Sequence, residues 1–292
     1  MRLAFLIPAP DVTEPWRWAF EAEADALRLA GVEVQPIVWT EARDLSEFDL
    51  ILPLLAWGYH RRYVEWRRFL DRLEAERLPV VNPPELLRWN SDKAYLAELG
   101  EAGIPSVPTI AVERLTADVL RSAADRFGID ELVIKPAVSA GAERTERIRV
   151  DQTVPTPERR GRTMIQPFLP AIADEGEYSL MLFDGAFSHA VVKRPPPGDF
   201  RVQPHFGGAH HWCEAPAGGE ALAAAALAAA PAEAVYARVD MIRGTGGELQ
   251  IMELELVEPA LFLDHSPDGG EAFTHSVLRA AERLAKEPLP ER

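Results

Sequence analysis

The feature that most restricts the fold is the alternation of strand-like and helix-like segments at the start of the chain. Apolar runs of strand length, LAFLI, VEVQPIVW, DLILPLL and LPVVN, are interrupted by PWRWAFEAEADALRLAG, which ends at Gly31, and by YVEWRRFLDRLEAER. Both interrupting segments have the apolar spacing of an amphipathic helix. Because a helix between two strands carries the chain back to the same end of the sheet, such strands pair in parallel. The chain is therefore predicted to begin with an α/β domain built on a parallel sheet.

Composition and the first turn exclude several classes of protein. The 292 residues carry a formal net charge of −15, whereas binding to a nucleic-acid backbone needs a basic surface. The turn PAPDVTEP after the first strand has no glycine, which disfavours a nicotinamide or flavin cofactor. No apolar run outside an alanine-rich segment is long enough for a membrane span. We therefore predict a cytoplasmic protein that binds neither nucleic acid nor membranes.

Further along, the pattern predicts additional units. Residues 82–90 read as a linker, and SDKAYLAELGEAG as a helix with Ser91 as its N-cap and Gly103 as its end. A hairpin is predicted around Asp184–Gly185. Further strands are predicted in SVPTIAV, ELVIKP, TMIQPFLP, YARVDMI and LQIMELELV. Two loops are predicted, a small-residue loop in VSAGAERT and an irregular loop over 194–211 that covers a site. Two helices are predicted, a packing helix over 220–230 and a C-terminal helix in EAFTHSVLRAAERLAKE.

Residues 248–259, ELQIMELELVEP, predict an acidic site. A strand places alternate side chains on one face, so Glu253 and Glu255 point together while Met252, Leu254 and Leu256 point away. At roughly 6 Å and an effective dielectric of about 20, the two carboxylates repel by about 3 kcal/mol. A turn centred near Thr245–Gly246 would place Asp240 opposite Ile251, on the same face.

Three acids on one face allow two interpretations. A solvated outer face needs no partner, but the apolar residues around the acids leave little room for it. A hard cation such as Mg²⁺ takes oxygen ligands, bridges to phosphates and would relieve the repulsion. A nucleotide is then expected nearby. Lys135, at the end of an apolar strand, and Lys93, in the first turn of a predicted helix, are candidates for its phosphates, although each alone is more typical of a surface charge.

The order of these segments resembles the ATP-grasp ligases. The resemblance rests on NSDK, VIKP with its small-residue loop, IQPFL, GEYSLMLFDG, KRPPPGDFRVQ with FGG, RVD and MELELVEP, which together cover roughly residues 85–270. Within the family the segments are most similar to D-cycloserine synthetases, and more distantly to glutathione synthetases and the glutamate ligases that modify ribosomal protein. The resemblance implies an ATP-grasp fold, α/β and in part α+β, preceded by an N-terminal domain with a parallel sheet.

The resemblance also implies three domains and a role for each site residue. The domains are an N-terminal substrate-side domain (1–88), a small ATP-grasp subdomain (89–168) and a C-terminal subdomain with the metal and acyl-phosphate site (169–292). Lys93 and Lys135 would hold the ATP phosphates under a loop with Ser139, Ala140 and Gly141. The other implied roles are adenine hinge for Gln166, Pro167 and Phe168, ribose or adenine contact for Glu177, acyl-phosphate stabilisation for Lys193 and Arg201, and Mg²⁺ (or Mn²⁺) ligation for Asp240, Glu253 and Glu255.

Two departures from the family pattern are visible. Many relatives have asparagine where this chain has Glu255, so the metal coordination is expected to differ. The small loop has fewer glycines than usual, so its closure is expected to differ as well.

The implied reaction is ATP-dependent ligation of a carboxylate and an amine. The carboxylate of a small amino-acid-derived substrate would attack the γ-phosphate, and an amine, in the same molecule for a cyclo-ligase, would displace phosphate from the acyl-phosphate. The alternative is a non-catalytic ATP-binding module that acts as a sensor or assembly partner. Its signature would be missing metal ligands or missing basic residues near 193–201. The sequence leaves the substrate, the number of metal ions and the oligomeric state open, and a homodimer is compatible with it.

The histidines and the cysteine give weaker signals. His60 follows a predicted parallel strand, where α/β sheets place ligand contacts, so we predict a contact with the amino-acid substrate, with a surface or core role as the alternative. The spacing of His205, His210 and His211 fits no familiar zinc pattern. Cys213, the single cysteine, excludes an intrachain disulfide.

Overall fold

The computed structural model describes residues 1–150 and 161–286, which form three β-sheets. The first is parallel with the strand order β2-β1-β3, as predicted from the opening alternation. Its elements are β1 (Arg2–Ile7), α1 (Arg17–Leu29), β2 (Glu33–Val38), β3 (Leu50–Leu52), α2 (Tyr63–Ala75) and α3 (Pro84–Asn90). The predicted strand LPVVN contributes a single parallel bridge, between Ile51 and Val80.

The second sheet is antiparallel and has four strands in the order β4-β7-β5-β6. Its elements are α4 (Tyr95–Glu101), β4 (Ile110–Val112), α5 (Ala117–Phe127), β5 (Glu131–Pro136), β6 (Glu146–Arg149) and β7 (Thr163–Pro167). Leu120, Ala123, Leu132, Ile134 and Ile165 are buried between α5 and the sheet. The opposite face of β5 and β7 is thereby left to line a cleft.

The third sheet is also antiparallel, with five strands in the order β10-β9-β8-β11-β12. Its elements are α6 (Ala171–Asp174), β8 (Glu177–Phe183), β9 (Ala186–Arg194), β10 (Ala209–Cys213), α7 (Gly219–Ala228), β11 (Tyr236–Arg243), β12 (Leu249–Glu255) and α8 (Glu271–Lys286). The hairpin predicted at Asp184–Gly185 joins β8 to β9, and both residues there have the positive φ that a tight turn needs. The predicted packing helix and C-terminal helix are confirmed as α7 and α8.

Several local predictions were wrong. The supposed linker at 82–90 contains α3, which begins at a proline in the first helical position. Ser91 is not an N-cap: its Oγ donates to the Leu87 carbonyl at 2.6 Å, and α4 begins only at Tyr95. Lys93 therefore lies just before α4 rather than in its first turn.

Other elements were missed. Helix α5 was not predicted, although Thr116 accepts from the Val119 N–H as an N-cap and Gly128 ends the helix at φ 67°. Strand β6, which begins directly after the predicted loop VSAGAERT, was not predicted either. The irregular loop predicted to reach residue 211 ends earlier, because β10 begins at Ala209 and pairs with β9.

Strand β12 is at the edge of its sheet, and neighbouring side chains satisfy its free backbone groups. Asn90 donates to the Leu254 carbonyl and accepts from the Leu256 N–H, both at 2.8 Å. The Tyr95 hydroxyl accepts from the Leu254 N–H at 2.8 Å. Buried backbone groups need such partners, so α3 and α4 hold the edge strand in place.

Each sheet lies within one of the three predicted domain ranges, while the domain boundaries themselves stay a prediction. The mixed α/β fold class is confirmed. Among the described helices, none combines the length and the apolarity that crossing a bilayer requires.

Candidate active site

The hairpin of β11 and β12 places the acidic residues in a register different from the predicted one. Asp240 lies directly opposite Glu253 rather than Ile251, and Arg238 lies opposite Glu255. The reason is a β-bulge: the register shifts between Asp240 and Met241, so the extra residue lies within the strand and not in the glycine-rich turn. The three acids share one face, as predicted.

The bulge also corrects the orientation predicted for Met252. Ile251 and Leu254 are buried in the core, whereas Met252 lines the same cleft as Glu253 and Glu255. The strict alternation of a regular strand is interrupted at the bulge, which turns an apolar side chain towards the site. Met252 packs there beside Ile242.

Cationic side chains offset the repulsion between the acids. Lys93 Nζ lies 2.7 Å from Glu253 Oε1 and donates to the Ser139 carbonyl at 2.6 Å. Asp240 accepts from Lys193 Nζ at 3.0 Å and from the Ser179 hydroxyl at 2.6 Å. Lys193 also pairs with Glu177. Each carboxylate proposed as a metal ligand therefore has at least one cation next to it.

Arg238 completes this arrangement and was not predicted. Its Nε and Nη2 each donate to Asp240 at 3.0 Å, and it forms an ion pair with Glu255. Its side chain is 8% exposed. Burial alone would lower the pKa of Arg238, but Asp240 and Glu255 raise it above its ordinary value. The signal was present in RVD, because residues two apart on a strand point to the same face.

The carboxyl groups do not share the same electrostatic environment. Burial would raise the pKa of Asp240, but Arg238 and Lys193 lower it below its ordinary value. Burial raises the pKa of Glu255 to about 7 against the opposing effect of Arg238, with Glu253 adding to the rise. Burial likewise raises the pKa of Glu177 to about 7. Four carboxyl groups therefore lie together in the site, and carboxylate oxygens suit a hard divalent cation.

The predicted residues meet in one cleft between the two antiparallel sheets. Fourteen of the fifteen predicted site residues line it: Lys93, Lys135, Ser139, Ala140, Gly141, Gln166, Pro167, Phe168, Glu177, Lys193, Arg201, Asp240, Glu253 and Glu255. Arg238 and Met252 line it as well. His60 does not.

Lys135 is the cation in the cleft that is most ready to accept an anion. Its Nζ forms no ion pair within 4.0 Å with any residue in the described part of the chain, although its side chain is buried. Burial lowers the pKa of Lys135; Glu253 opposes the change and Lys93 adds to it. An unpaired ammonium at the end of β5 therefore faces the cleft.

The hinge side of the cleft is largely apolar. Phe168 is 6% exposed, its N–H donates to the Glu131 carbonyl at 2.9 Å, and the guanidinium of Arg147 lies 3.6 Å from the centre of its ring. Gln166 donates through its side-chain amide to Thr109 Oγ1 at 2.9 Å. The Phe168 N–H is therefore already satisfied within the protein.

The irregular loop after β9 lies against this hinge. The ring of Phe200 meets that of Phe168 edge-on, with centroids 6.1 Å apart. Arg201 Nη2 lies 2.7 Å from Asp199 Oδ2, and the guanidinium carbon of Arg201 lies 3.6 Å from the centre of the Phe206 ring. The loop predicted to cover a site therefore borders the cleft and places a guanidinium in its lining.

His60 lies at the far end of the small-residue loop. Its Nε2 is 3.1 Å from Glu143 Oε2, and Arg61, which pairs with Glu14, donates to the same carboxylate at 2.7 Å. His60 Nδ1 is a buried atom with no hydrogen-bond partner among the described residues. Burial lowers the pKa of His60, against the opposing effect of Glu143. A residue of the N-terminal unit thus contacts the loop that borders the cleft.

This loop adopts left-handed backbone conformations without a glycine at every such position. Ala142 and Arg144 have φ values of 57° and 58°, and Gly141 has 59°. A non-glycine residue in this region costs roughly 1–2 kcal/mol. The unusual conformation agrees with the low glycine content noted in the sequence.

Comparison with known proteins decides the family. A family model described as the N-terminal domain of D-cycloserine synthetase DcsG matches residues 17–82. The cycloserine biosynthesis protein DcsG of Streptomyces lavendulae is 31% identical over 282 residues, which cover 89% of this chain and 92% of that protein. The crystal structure of D-cycloserine synthetase DcsG superposes with a TM-score of 0.85 at 28% identity, covering 97% of this chain and all of that one. The chain belongs to the ATP-grasp ligases.

More distant relatives of this ATP-grasp ligase agree. The glutathione synthetase of Parasynechococcus marenigrum is 27% identical over 286 residues, covering 92% of this chain and 82% of that protein. A D-alanine–D-alanine ligase from Bacillus anthracis shares the fold, with a TM-score of 0.71 at 19% identity and 98% of this chain covered. The chain is an ATP-dependent ligase that forms a C–N bond, and ATP and Mg²⁺ are the ligands expected for its family.

The three histidines singled out in the sequence do not cluster in this ATP-grasp ligase. The ring of His205 lies against that of Phe206, with centroids 4.2 Å apart and the planes tilted by 48°. Only His210 of the three joins a group of possible metal ligands among the described residues, with Asp264 and His265, and their ligand atoms lie within 4.8 Å of one another. Cys213 is a free thiol, and partial burial raises its pKa.

Proposed function

We propose that this ligase activates the carboxylate of a small amino-acid-derived substrate as an acyl-phosphate, using ATP and Mg²⁺, and releases ADP and phosphate as an amine displaces the phosphate. The observation that carries the proposal is the cleft itself. It combines the acidic face of Asp240, Glu253 and Glu255 with the unpaired, buried Lys135. Such a set binds a divalent cation and phosphate groups together.

The phosphate end of the cleft is assigned to cations from two sheets. Lys93 and Lys135 would hold the ATP phosphates, beside the loop of Ser139, Ala140 and Gly141. Asp240, Glu253 and Glu255 fit Mg²⁺ or, as a finer prediction, Mn²⁺, because carboxylate oxygens suit both ions. When bound, the ion would neutralise charge on the transferring phosphoryl group. The base would occupy the hinge of Gln166, Pro167 and Phe168.

Lys193, Arg201 and the newly found Arg238 are the cations beside the reacting carboxylate. Positive groups fixed before the reaction lower the barrier, because they need not reorganise as negative charge develops on the oxygens. Glu177 is assigned to the ribose or adenine side, and its pairing with Lys193 couples that side to the acyl-phosphate side. The loop that carries Arg201 would exclude water from the acyl-phosphate.

The similarity to DcsG supports an intramolecular reaction, in which the attacking amine belongs to the same molecule as the activated carboxylate. The alternative is a non-catalytic ATP-binding module, which would lack metal ligands or lack basic residues near 193–201. Asp240, Glu253, Glu255, Lys193 and Arg201 are all present in the one cleft, so the module has no support.

The experiment is a screen for ATP-dependent phosphate release over D- and L-amino acids and their derivatives, with O-ureido-D-serine first. We expect release with a small amino-acid derivative, and ADP and phosphate as the products. Detection of AMP and pyrophosphate would contradict the acyl-phosphate. If only long peptide acceptors are used, the cyclo-ligase assignment is replaced by that of a peptide-type ligase.

A further inference from the structure

Two imidazoles and a carboxylate lie together outside the cleft. His210 belongs to β10, and Asp264 and His265 belong to a short 3₁₀ turn, Leu263–His265. One ligand atom from each of the three side chains lies within 4.8 Å of the other two. None of the three residues lines the cleft, and no role assigned so far uses them.

The spacing of these atoms is close to that of a metal site. His265 Nε2 lies 3.7 Å from Asp264 Oδ2. Two ligand atoms on one tetrahedral zinc ion, each about 2.0–2.1 Å from the metal, are roughly 3.4 Å apart. The rings of His210 and His265 meet edge-on, with centroids 5.4 Å apart. Because Asp264 is exposed, its carboxylate is free to turn, and small side-chain rotations would bring all three ligands onto one ion.

The two elements that carry the ligands are fixed by the fold. Strand β10 pairs with β9 along its whole length, with His210 opposite Lys193. The start of the turn is fixed to β9 as well, because Nε2 of the buried His189 donates to the carbonyls of Leu261 and Phe262, at 2.9 and 3.0 Å. Ligands on preorganised elements lose little freedom when they bind an ion.

An aromatic ring separates this group from the active-site network. The ring of Phe262 lies against that of His210, with centroids 4.7 Å apart. The guanidinium carbon of Arg238 lies 5.9 Å from the centre of the same Phe262 ring. The group therefore adjoins the active site but does not share its carboxylates.

We propose that His210, Asp264 and His265 bind a zinc-class divalent cation at a site separate from the Mg²⁺ site. Imidazole nitrogen suits Zn²⁺ and similar transition-metal ions, whereas Mg²⁺ prefers oxygen ligands. Two nitrogens and one carboxylate oxygen supply three ligands, and a water molecule completes the four of a tetrahedral zinc ion. The ion fastens the edge strand β10 to the turn Leu263–His265.

The test titrates zinc chloride into the full chain by isothermal titration calorimetry, with excess Mg²⁺ present to compete for the acidic cleft. We expect one Zn²⁺ per chain. His265→Ala should weaken Zn²⁺ binding by about 100-fold and Asp264→Asn by about tenfold, at least as much as the loss of an outer-shell partner costs a metal site. His211→Ala is the matched control, because it removes an exposed imidazole of β10 that lies outside the group.

Thermal unfolding gives a second readout. Because an ion that binds only the folded state stabilises it, Zn²⁺ should raise the Tm of wild type and of His211→Ala and leave that of His265→Ala unchanged. The site is refuted if wild type binds no Zn²⁺ in excess Mg²⁺, or if His265→Ala binds it as tightly as wild type. Asp264 is on the surface, so unchanged affinity in Asp264→Asn counts equally against the site even if His265→Ala does not fold. Loss of the Zn²⁺ in Glu253→Gln instead would place the ion in the cleft.

Discussion

Two networks of charged side chains border the same loop, and they differ in burial. In the network on β11 and β12, the side chains of Arg238 and Asp240 are 8% and 4% exposed. In the network that joins the N-terminal unit to the small-residue loop, the side chains of Arg61 and Glu143 are 41% and 38% exposed. The ion-pair distances are similar, at 3.0 Å for Arg238–Asp240 and 2.7 Å for Arg61–Glu143.

The difference shows why the distance between the partners of an ion pair does not by itself measure how much the pair affects stability. Removing one partner of a buried pair leaves an uncompensated charge in the interior, whereas an exposed partner is replaced by water. Because both partners lose their hydration, the buried network is weak evidence for stability, which agrees with the catalytic role proposed for it. The exposed network, by contrast, contributes little to stability because water replaces a lost partner.

Arg238→Ala should give the largest effect, because it leaves Asp240 with Lys193 and Glu255 with no ion pair among the described residues. We expect the free energy of unfolding to fall by about 3–5 kcal/mol, as for other buried pairs that lose one partner. Urea denaturation followed by circular dichroism measures it, with Arg238→Lys as the control that keeps the charge. A fall below about 1 kcal/mol would mean that the buried network behaves as the exposed one.

Glu253→Gln distinguishes the role of this carboxylate in metal binding from a role in nucleotide binding. We expect ATP binding without Mg²⁺ to be nearly normal, since the hinge contacts are intact, and kcat to fall by roughly 100-fold or more. Isothermal titration with ATP alone and steady-state kinetics at saturating Mg²⁺ are the measurements. Full Mg²⁺-dependent activity in the variant would rule out the acidic face as the metal site.

His60→Ala tests the exposed network on the substrate side. We expect KM for the amino-acid substrate to rise about tenfold, the value of one hydrogen bond, with KM for ATP almost unchanged. Glu143→Gln is the matched variant, because it weakens the tie to the loop without removing the imidazole. If KM for ATP rises in step in either variant, His60 acts through the phosphate-side loop and does not contact the substrate.

Arg61→Ala should give the smallest effect. The free energy of unfolding is expected to change by no more than about 1 kcal/mol, because both of its ion pairs are exposed. Raising the salt concentration should reduce the difference from wild type further, since exposed pairs are screened. Thermal unfolding at low and high salt checks this; a salt-independent loss of several kcal/mol would place Arg61 with the buried network instead.

The sequence was most informative where the period of side chains is regular. Fourteen predicted site residues lie in one cleft because they follow the ends and faces of strands whose order resembles that of a known family. The register of Asp240 was wrong because a β-bulge lies within β12, and no residue pattern in ELQIMELELVEP distinguishes a bulged strand from a regular one. Helix α5 was missed although its N-cap Thr116 and terminal Gly128 were readable.

The sequence by itself determined the parallel N-terminal sheet, the hairpins and the acidic face, because hydrophobic periodicity and turn residues act over a few neighbouring positions. Only the tertiary structure decided which cation meets which acid. Lys93 reaches Glu253, Lys193 reaches Asp240, and Lys135 is left without an ion pair among the described residues. The packing of the sheets decides which charged residues meet when they are far apart in sequence. The low dielectric between the sheets then strengthens the attraction within each pair.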